Sequence, residues 1–293
     1  MKLFIAISLL CLYAVRTIAQ VEATFSGGYE AAALSWSIGG KTNNEPINVL
    51  SELKWRGLRG PLWQGGLKWH PRKRWYIAGE MSKSRITAGH AEDTDYGAND
   101  RRSPTYHARL DSDEGALSSC RLFGGFHFLQ REKLDLGGFA GYVQRREELL
   151  LLNHAAAQPG QKNLRSTYNT RWSGVTGGVA GAYHFSKRLH IAAELQYSQL
   201  RFHAAADWNL VDAFQHPVSF RQQANGFDLG ASLKVALQLN HHLSLFLSGM
   251  YRHAATGTGS DELYLANGAV QTARFNGAYA HACKALTGGS WAF

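Results

Sequence analysis

A strict alternation of apolar and polar side chains in the second half of the chain limits what the chain can fold into. Every odd position in 227–240 is apolar, and most even positions there are polar or small. The pattern returns in residues 189–197 and 243–251. Because successive side chains of a β-strand point to opposite faces, this period predicts strands with one apolar and one polar face.

The alternating runs reach ten residues or more, whereas an ordinary strand has about five or six. Tight polar breaks lie near residues 70–74, 129–133, 186–188 and 240–242. Long polar stretches lie near residues 40–50, 86–117, 147–168, 201–225 and 253–272. Four short turns and five long loops make nine connections, so we predict ten strands.

Long strands joined by short turns at one end and long loops at the other are typical of a bacterial outer-membrane barrel. A secreted β-sandwich or lipocalin-like barrel has the same period but shorter strands. No later stretch has about eighteen consecutive apolar residues, which excludes helical membrane spans. We predict an all-β fold over residues 20–293: a ten-stranded antiparallel transmembrane β-barrel with short periplasmic turns and long extracellular loops.

The N-terminus indicates export. A short positive start precedes an uncharged apolar run over residues 3–15, and small residues follow for a signal peptidase. We predict a signal peptide over residues 1–19, cleaved near Ala19 or Ala23. Without it the chain has 29 basic and 22 acidic residues, a net charge of +7. Because the protein lies outside the cytoplasm, nucleic acid is not an expected partner.

Two cysteines, Cys120 and Cys283, remain after removal of the signal, and the sequence leaves open whether they form a disulfide. The thirteen histidines are scattered. We therefore predict no metal site and no organic cofactor.

Several short motifs occur in order along the chain. Residues 51–55 read SELKW, 65–69 GGLKW, 88–96 AGHAEDTDY, 141–146 GYVQRR, 168–173 YNTRWS and 177–183 GGVAGAY. Together they resemble the omptin family of outer-membrane proteases. The resemblance implies a ten-stranded barrel with an extracellular groove. In that groove one Asp pair faces an Asp–His pair, and a water between them attacks the peptide bond.

The resemblance assigns Asp93 and Asp95 to the first pair. Two carboxylates at positions i and i+2 of an extended chain share a face, and their repulsion raises the pKa of one of them. The alternative is a solvated acidic loop. The second pair falls on Asp207 and Asn209, where the family has His. Asn has no titratable nitrogen near neutral pH, and loss of a general base costs about 10²–10⁴-fold in rate.

An imidazole near Asp207 can come from His216 or His203, both within nine residues of it. The alternative for each is a solvated loop histidine. If the alternation of residues 189–197 continues along the strand, Asp207 points to the outer face. A bulge or register change in 199–206 is therefore required if Asp207 is to face the groove.

The resemblance also implies a substrate pocket and a lipid site. The expected pocket acid before Asp207 is replaced by Ala205, and Glu45 in the first long loop is the candidate substitute. Rough lipopolysaccharide is expected to bind on the outer wall at Tyr142, Arg146 and Arg171. Their parity matches the neighbouring apolar faces, and arginine binds phosphate bidentately. The alternative is an ordinary interfacial arginine.

These observations support three hypotheses. The first is an omptin-like outer-membrane endopeptidase that acts on polypeptides with lipopolysaccharide as its activating lipid. The second is a catalytically impaired barrel that binds lipopolysaccharide and surface ligands. The third, a passive pore, ranks last because a ten-stranded barrel is narrow and its predicted interior carries bulky side chains such as His184, His190, Glu194 and Lys234.

Overall fold

A computed structural model describes residues 20–42, 45–154 and 162–293. The predicted signal over residues 1–19 lies outside the described residues. Ala23, one of the two predicted cleavage positions, lies within the first strand, where it pairs with Trp291 and Leu67.

Twelve antiparallel strands make up the described parts of the chain. They are β1 Gln20–Thr42, β2 Glu45–Arg72, β3 Trp75–Arg85, β4 Ala88–Ala98, β5 Arg102–Asp111, β6 Gly115–Gln130, β7 Leu134–Leu152, β8 Arg165–His184, β9 Leu189–Asp207, β10 Phe220–Gln238, β11 Leu243–Tyr264 and β12 Val270–Ala292. A search of the described residues found no α-helix with the length and hydrophobicity needed to cross a bilayer.

The strands close into a ring of ten positions, as the sequence predicts. β1 pairs with both β12 and β2, which closes the sheet on itself. β3 and β4 share one position, because both pair with β2. β5 and β6 share the next, since β5 pairs with β4 and β6 pairs with β3. The hairpin of β4 and β5 thus extends the barrel wall at the extracellular end.

The four short turns lie where they are predicted, but the prediction of long loops is largely wrong, because strands occupy much of those stretches. β2 already begins at Glu45, β9 continues to Asp207 and β11 continues to Tyr264. A tilted strand crosses a bilayer in about nine to eleven residues, whereas β2 has 28 residues and β7 has 19. Beyond the bilayer the outer face is polar, so the alternation disappears from the sequence while the strands continue to pair.

The outer wall presents apolar side chains along the membrane-spanning halves of the strands. Leu195, Leu229 and Leu247 are examples of exposed residues in this band. Cys120 on β6 and Cys283 on β12 are both free and exposed. The two cysteines therefore form no disulfide.

Interior side chains form three layers. A polar cavity of about 510 Å³, here called the vestibule, occupies the periplasmic end, and His184, His190, Glu194 and Lys234 line it as predicted. An apolar core lies under the extracellular rim. Its largest fully buried side chains are Trp55, Trp172, Tyr168, Phe202 and Phe275.

Between the vestibule and the core, ion pairs cross the lumen. Arg121 contacts Glu194 and lies 3.0 Å from Glu80, and Arg145 lies 3.0 Å from Asp228. We call the whole set the charged layer: Glu30, Glu80, Arg121, Arg145, Glu147, Glu194, Asp228, Arg252 and Lys284. A cavity of about 50 Å³ lies among these side chains, and it holds only a few water molecules. This filling does not favour the passive pore.

We expect Asp228→Ala to destabilise the barrel strongly. Asp228 is fully buried, with Arg145 Nη2 at 3.0 Å and Arg252 Nη1 at 3.8 Å. Its removal leaves two buried guanidinium groups without their shared counterion, and breaking a buried pair costs about 3–5 kcal/mol. Urea unfolding of protein refolded in lipid vesicles measures the change. Asp212→Ala, which removes an exposed acid from the loop after β9, is the control, and equal midpoints for the two variants would contradict the expectation.

Candidate functional site

Asp93 and Asp95 lie on the inner face of β4, at the extracellular end of the barrel. Asp93 pairs in register with Leu53 and Asp95 with Ser51, both on β2. Residues directly opposite each other on paired strands share a face. Because Leu53 is fully buried in the apolar core, Asp93 and Asp95 also point toward the barrel interior. The structure thus brings the predicted first pair together on one side of the wall.

Burial and, to a lesser extent, the charge of Asp95 raise the pKa of Asp93 to about 7. A hydrogen bond from the Thr94 backbone acts in the opposite direction but is outweighed. The ordinary value for an aspartate is near 4. Asp93 therefore exchanges its proton near neutral pH, where an isolated carboxyl is ionised. Perturbed carboxyls of this kind are typical of acid–base sites, although structural clusters produce them as well.

Tyr106 on β5 is a neighbour of the acid pair that the sequence interpretation missed. It is the register partner of Asp95 and is 48% exposed. Burial and the charges of Asp93 and Asp95 raise the pKa of its phenol. The parity of β5 is the only sequence signal for it, and that parity becomes useful only when the pairing of β5 with β4 is known.

Contacts on the outer side of β2 hold the β4–β5 hairpin in place. Arg101, at the hairpin tip, donates hydrogen bonds to the buried Glu52, and Lys54 lies 2.5 Å from the same carboxylate. Although burial acts to raise it, these hydrogen bonds hold the pKa of Glu52 below its usual range. Asn48 bonds to Asn99 and Asp100 of the tip. The tip of the hairpin is thus bonded to β2 at Glu52 and at Asn48, and these contacts hold the hairpin that carries the acid pair.

Asp207 ends β9 on the outward-facing side. β9 pairs with β8 and with β10 without any register shift along its length. The bulge or register change that Asp207 needs to face the groove is therefore absent from this fully described strand, and Asp207 keeps the outward direction that the alternation predicts. The inward positions at this end of β9 are taken by Ala204 and Ala206, both buried, and Trp208 packs against the core after them.

His216, and not Asn209, accompanies Asp207. His216 Nδ1 lies 2.5 Å from Asp207 Oδ1. Asn209 instead joins this loop to the start of β8: its Oδ1 accepts hydrogen bonds from the Arg165 backbone and Ser166 Oγ, and its Nδ2 donates to the Asn163 carbonyl. An Asp–His pair thus exists, with its histidine at position 216 and not at the aligned position 209.

The remaining predicted residues lie away from the acid pair. His203 is exposed on the outer face of β9, opposite Arg171. Glu45 is exposed at the start of β2, opposite Thr42. Six residues separate it from Ser51, the partner of Asp95, which corresponds to roughly 20 Å along a strand.

Tyr142, Arg146 and Arg171 all lie exposed on the outer wall. Arg146 on β7 is the direct register partner of Arg171 on β8, so the two guanidinium groups are neighbours. With its amide oxygen turned toward Arg146, Gln144 accepts hydrogen bonds from Nε and Nη2, each 3.1 Å long. Tyr142 lies on the same face of β7 as Arg146, four residues closer to the membrane.

A buried acid on the opposite side of the ring was also missed. Asp261 on β11 accepts a hydrogen bond of 2.9 Å from Gln222 Nε2, and Gln222 Oε1 accepts one of 2.7 Å from the Tyr168 hydroxyl. Burial raises the pKa of Asp261 to about 6. In the part of the chain that the structure describes, no three His, Cys, Asp or Glu residues are grouped to hold a metal ion.

A family model, the Protochlamydia outer membrane protein Pom, matches residues 24–286. The chain belongs to this family. This Pom-family barrel is therefore a bacterial outer-membrane protein. It matches no curated protein.

Among solved structures, the fold is similar to that of the outer membrane protease OmpT from Escherichia coli. The TM-score is 0.75 at 12% identity, over 96% of this chain and 100% of that one. The translocator domain of the autotransporter NalP from Neisseria meningitidis reaches a TM-score of 0.41 at 12% identity, over 99% of this chain and 94% of that one. At 12% identity the likeness to OmpT shows the fold alone. The predicted omptin resemblance is thus confirmed for the barrel architecture.

We expect Asp95→Asn to lower the pKa of Asp93 below about 7, because the variant removes a neighbouring negative charge that favours the protonated form. Burial remains, so the pKa should stay above the ordinary aspartate value. Titration of ¹³C-labelled aspartate carboxyls by NMR measures it, with Asp93→Asn to assign the signal. Asp100→Asn at the hairpin tip is the matched control. An unchanged Asp93 titration in Asp95→Asn would show that the two carboxyls do not interact.

Proposed function

We propose that this Pom-family barrel hydrolyses polypeptides at its extracellular rim, with Asp93 and Asp95 activating the attacking water. The observation that carries the proposal is the inward-facing pair, in which Asp93 has a pKa of about 7. The pair lies above an apolar core and on a half-exposed rim, where a peptide can reach it. A solvated acidic loop would not place two acids on the inner face of a paired strand.

The chemistry of the pair follows from its shared proton. Two adjacent carboxyls that bind one proton provide a base and an acid in the same site. The ionised Asp95 takes a proton from water as the water oxygen attacks the peptide carbonyl. The protonated Asp93 then gives its proton to the leaving amine. Because Asp93 must be protonated, the rate should fall as pH rises through about 7.

In this proposal the other predicted residues have no step in bond cleavage. The omptin resemblance assigns Asp207 to an Asp–His pair across the groove, but Asp207 lies on the outward side of β9. Its partner His216 is in the loop after β9, and Asn209 bonds to the segment before β8. The catalytic assignments of Asp207, Asn209, His216 and His203 remain predictions from the resemblance, as does the pocket role of Glu45.

We expect the refolded barrel, supplied with rough lipopolysaccharide, to cleave an unbiased peptide library. Asp93→Asn and Asp95→Asn should each reduce cleavage by at least about 10²-fold, the usual contribution of general acid–base catalysis. Mass spectrometry of the products measures cleavage and identifies the cut sites. His216→Ala should keep most of the activity.

Asp100→Asn, which changes an exposed acid of the same hairpin, is the control for charge. A loss in His216→Ala as large as that in Asp93→Asn would favour the omptin-type arrangement with an Asp–His base. Cleavage that survives Asp93→Asn would contradict the acid-pair site.

A second candidate function is a barrel that binds lipopolysaccharide without catalysis, and the outward position of Asp207 favours it. The lipid site is supported by the adjacent pair Arg146 and Arg171, which lies above the outward-facing Tyr142. Two guanidinium groups side by side can bind one phosphate bidentately. The same site would supply the activating lipid in the first proposal.

The lipid site is part of a longer polar row on the outer wall. In this row each residue is the register partner of the next: Lys83, Ser118, Arg146, Arg171, His203 and Gln223. The row crosses the strands beyond the apolar band. At this level an outward arginine costs little and meets lipid headgroups.

We expect Arg146→Ala combined with Arg171→Ala to weaken binding of rough lipopolysaccharide by about tenfold or more, because two charge-assisted contacts to phosphate are lost. Binding to the unaltered protein should also weaken with added salt. Titration of fluorescent lipopolysaccharide into detergent-solubilised protein measures both effects. Arg102→Ala, which removes an exposed arginine from the hairpin, is the matched control. Undiminished binding in the double variant would show that Arg146 and Arg171 do not form the lipid site.

A further inference from the structure

We infer that Tyr106 is a catalytic residue of the acid-pair site, whose phenol hydroxyl donates a hydrogen bond to the oxyanion formed from the peptide carbonyl. The inference deepens the proposed function and rests on it. Neither the omptin resemblance nor the family match assigns a role to this residue.

The register of the β4–β5 hairpin gives Tyr106 its place. Tyr106 lies directly opposite Asp95, and Ala108 lies opposite Asp93. Side chains that are directly opposite have Cβ atoms about 4.5–5.5 Å apart, and the diagonal distance of about 7–8 Å is within reach of an aromatic side chain. Because Ala108 is small, the space beside Asp93 is left to the ring of Tyr106.

The side chain has the right chemistry for a donor. Burial and the two neighbouring carboxyls keep its pKa above the ordinary value for tyrosine, so the phenol holds its proton at neutral pH. It is also 48% exposed, so a bound peptide can contact the hydroxyl. A neutral donor beside a shared-proton pair adds stabilisation where negative charge develops in the transition state.

The reaction balances with these three groups. A bond forms between the water oxygen and the carbonyl carbon, and the water proton passes to Asp95. The carbonyl π electrons move to the oxygen, which accepts the hydrogen bond from Tyr106. When the C–N bond breaks, those electrons restore the C=O bond, and the amine takes the proton of Asp93. The acid pair ends with one shared proton, as it began.

Other polar residues near the pair are less suited to this role. Tyr96 and Thr94 alternate with the aspartates along β4 and therefore lie on its other face. Tyr96 interacts there with Glu52 and Arg101. Ser51 shares the inner face, opposite Asp95 on the β2 side, but its hydroxyl is on a much shorter side chain. Ser51 is therefore the competing donor, and the test includes it.

The test compares Tyr106→Phe with Tyr96→Phe, which removes the same hydroxyl from the other face of the hairpin. We expect Tyr106→Phe to lower kcat for a cleaved peptide by about 10²–10³-fold, as loss of one oxyanion donor does. KM should change less than about twofold, because the donor acts only in the transition state. Tyr96→Phe and Ser51→Ala should keep kcat. Unchanged kcat in Tyr106→Phe, or the loss appearing in Ser51→Ala instead, would overturn the inference.

A binding measurement separates this inference from the proposed function. A peptide with a phosphinate in place of the scissile amide carries a tetrahedral oxyanion and needs no hydrolysis. Tyr106→Phe should weaken its binding by the same factor as kcat and leave the parent peptide's binding unchanged. If the wild type does not cleave peptides but binds the phosphinate more tightly than Tyr106→Phe does, the proposed hydrolysis is wrong and the donor role of Tyr106 stands. If Tyr106→Phe changes neither cleavage nor phosphinate binding, or the wild type does not bind the phosphinate, the donor role is wrong.

Discussion

The structure depends on one constraint: lipid offers no hydrogen bonds to the backbone, so every strand in the bilayer must be paired on both sides. The chain meets it by pairing β1 with β12 as well as with β2. Closure also decides which side chains face inward. Asp93 and Asp95 face the interior because their partners Leu53 and Ser51 do. By the same rule Asp207 faces outward, since β9 pairs in unbroken register with both neighbours.

The interior explains why the rim can hold a perturbed acid. The fully buried Leu53 and Trp55 lie beside and below Asp93, and they remove water from one side of its carboxyl. The charged layer beneath the core has four cationic and five anionic side chains, so it is nearly neutral and adds little long-range potential at the rim. The local pair, and not the overall charge of the barrel, governs the site.

Alternation alone predicts the ring of ten, the four short turns and the outward directions of Tyr142, Arg146 and Arg171, because each depends only on local period. It fails where the outcome depends on residues far along the chain. Tyr106 becomes a neighbour of Asp95 only through the register of β4 with β5. Asn209 forms its hydrogen bonds with residues 163–166, which are distant in sequence. His216 contacts Asp207 because the loop after β9 brings the two together. The predicted loops were wrong because pairing continues where the apolar signal stops.

The charged layer has a consequence for how the protein meets its two surroundings. It and the apolar core fill the described interior between the vestibule and the rim. A solute that enters the vestibule from the periplasm must therefore leave by the same opening. The vestibule is then a pocket on the periplasmic side, while Asp93 and Asp95 meet only what reaches the extracellular rim. The two ends of one barrel thus meet different solutes, and a molecule held at one end has no path through the lumen to the other.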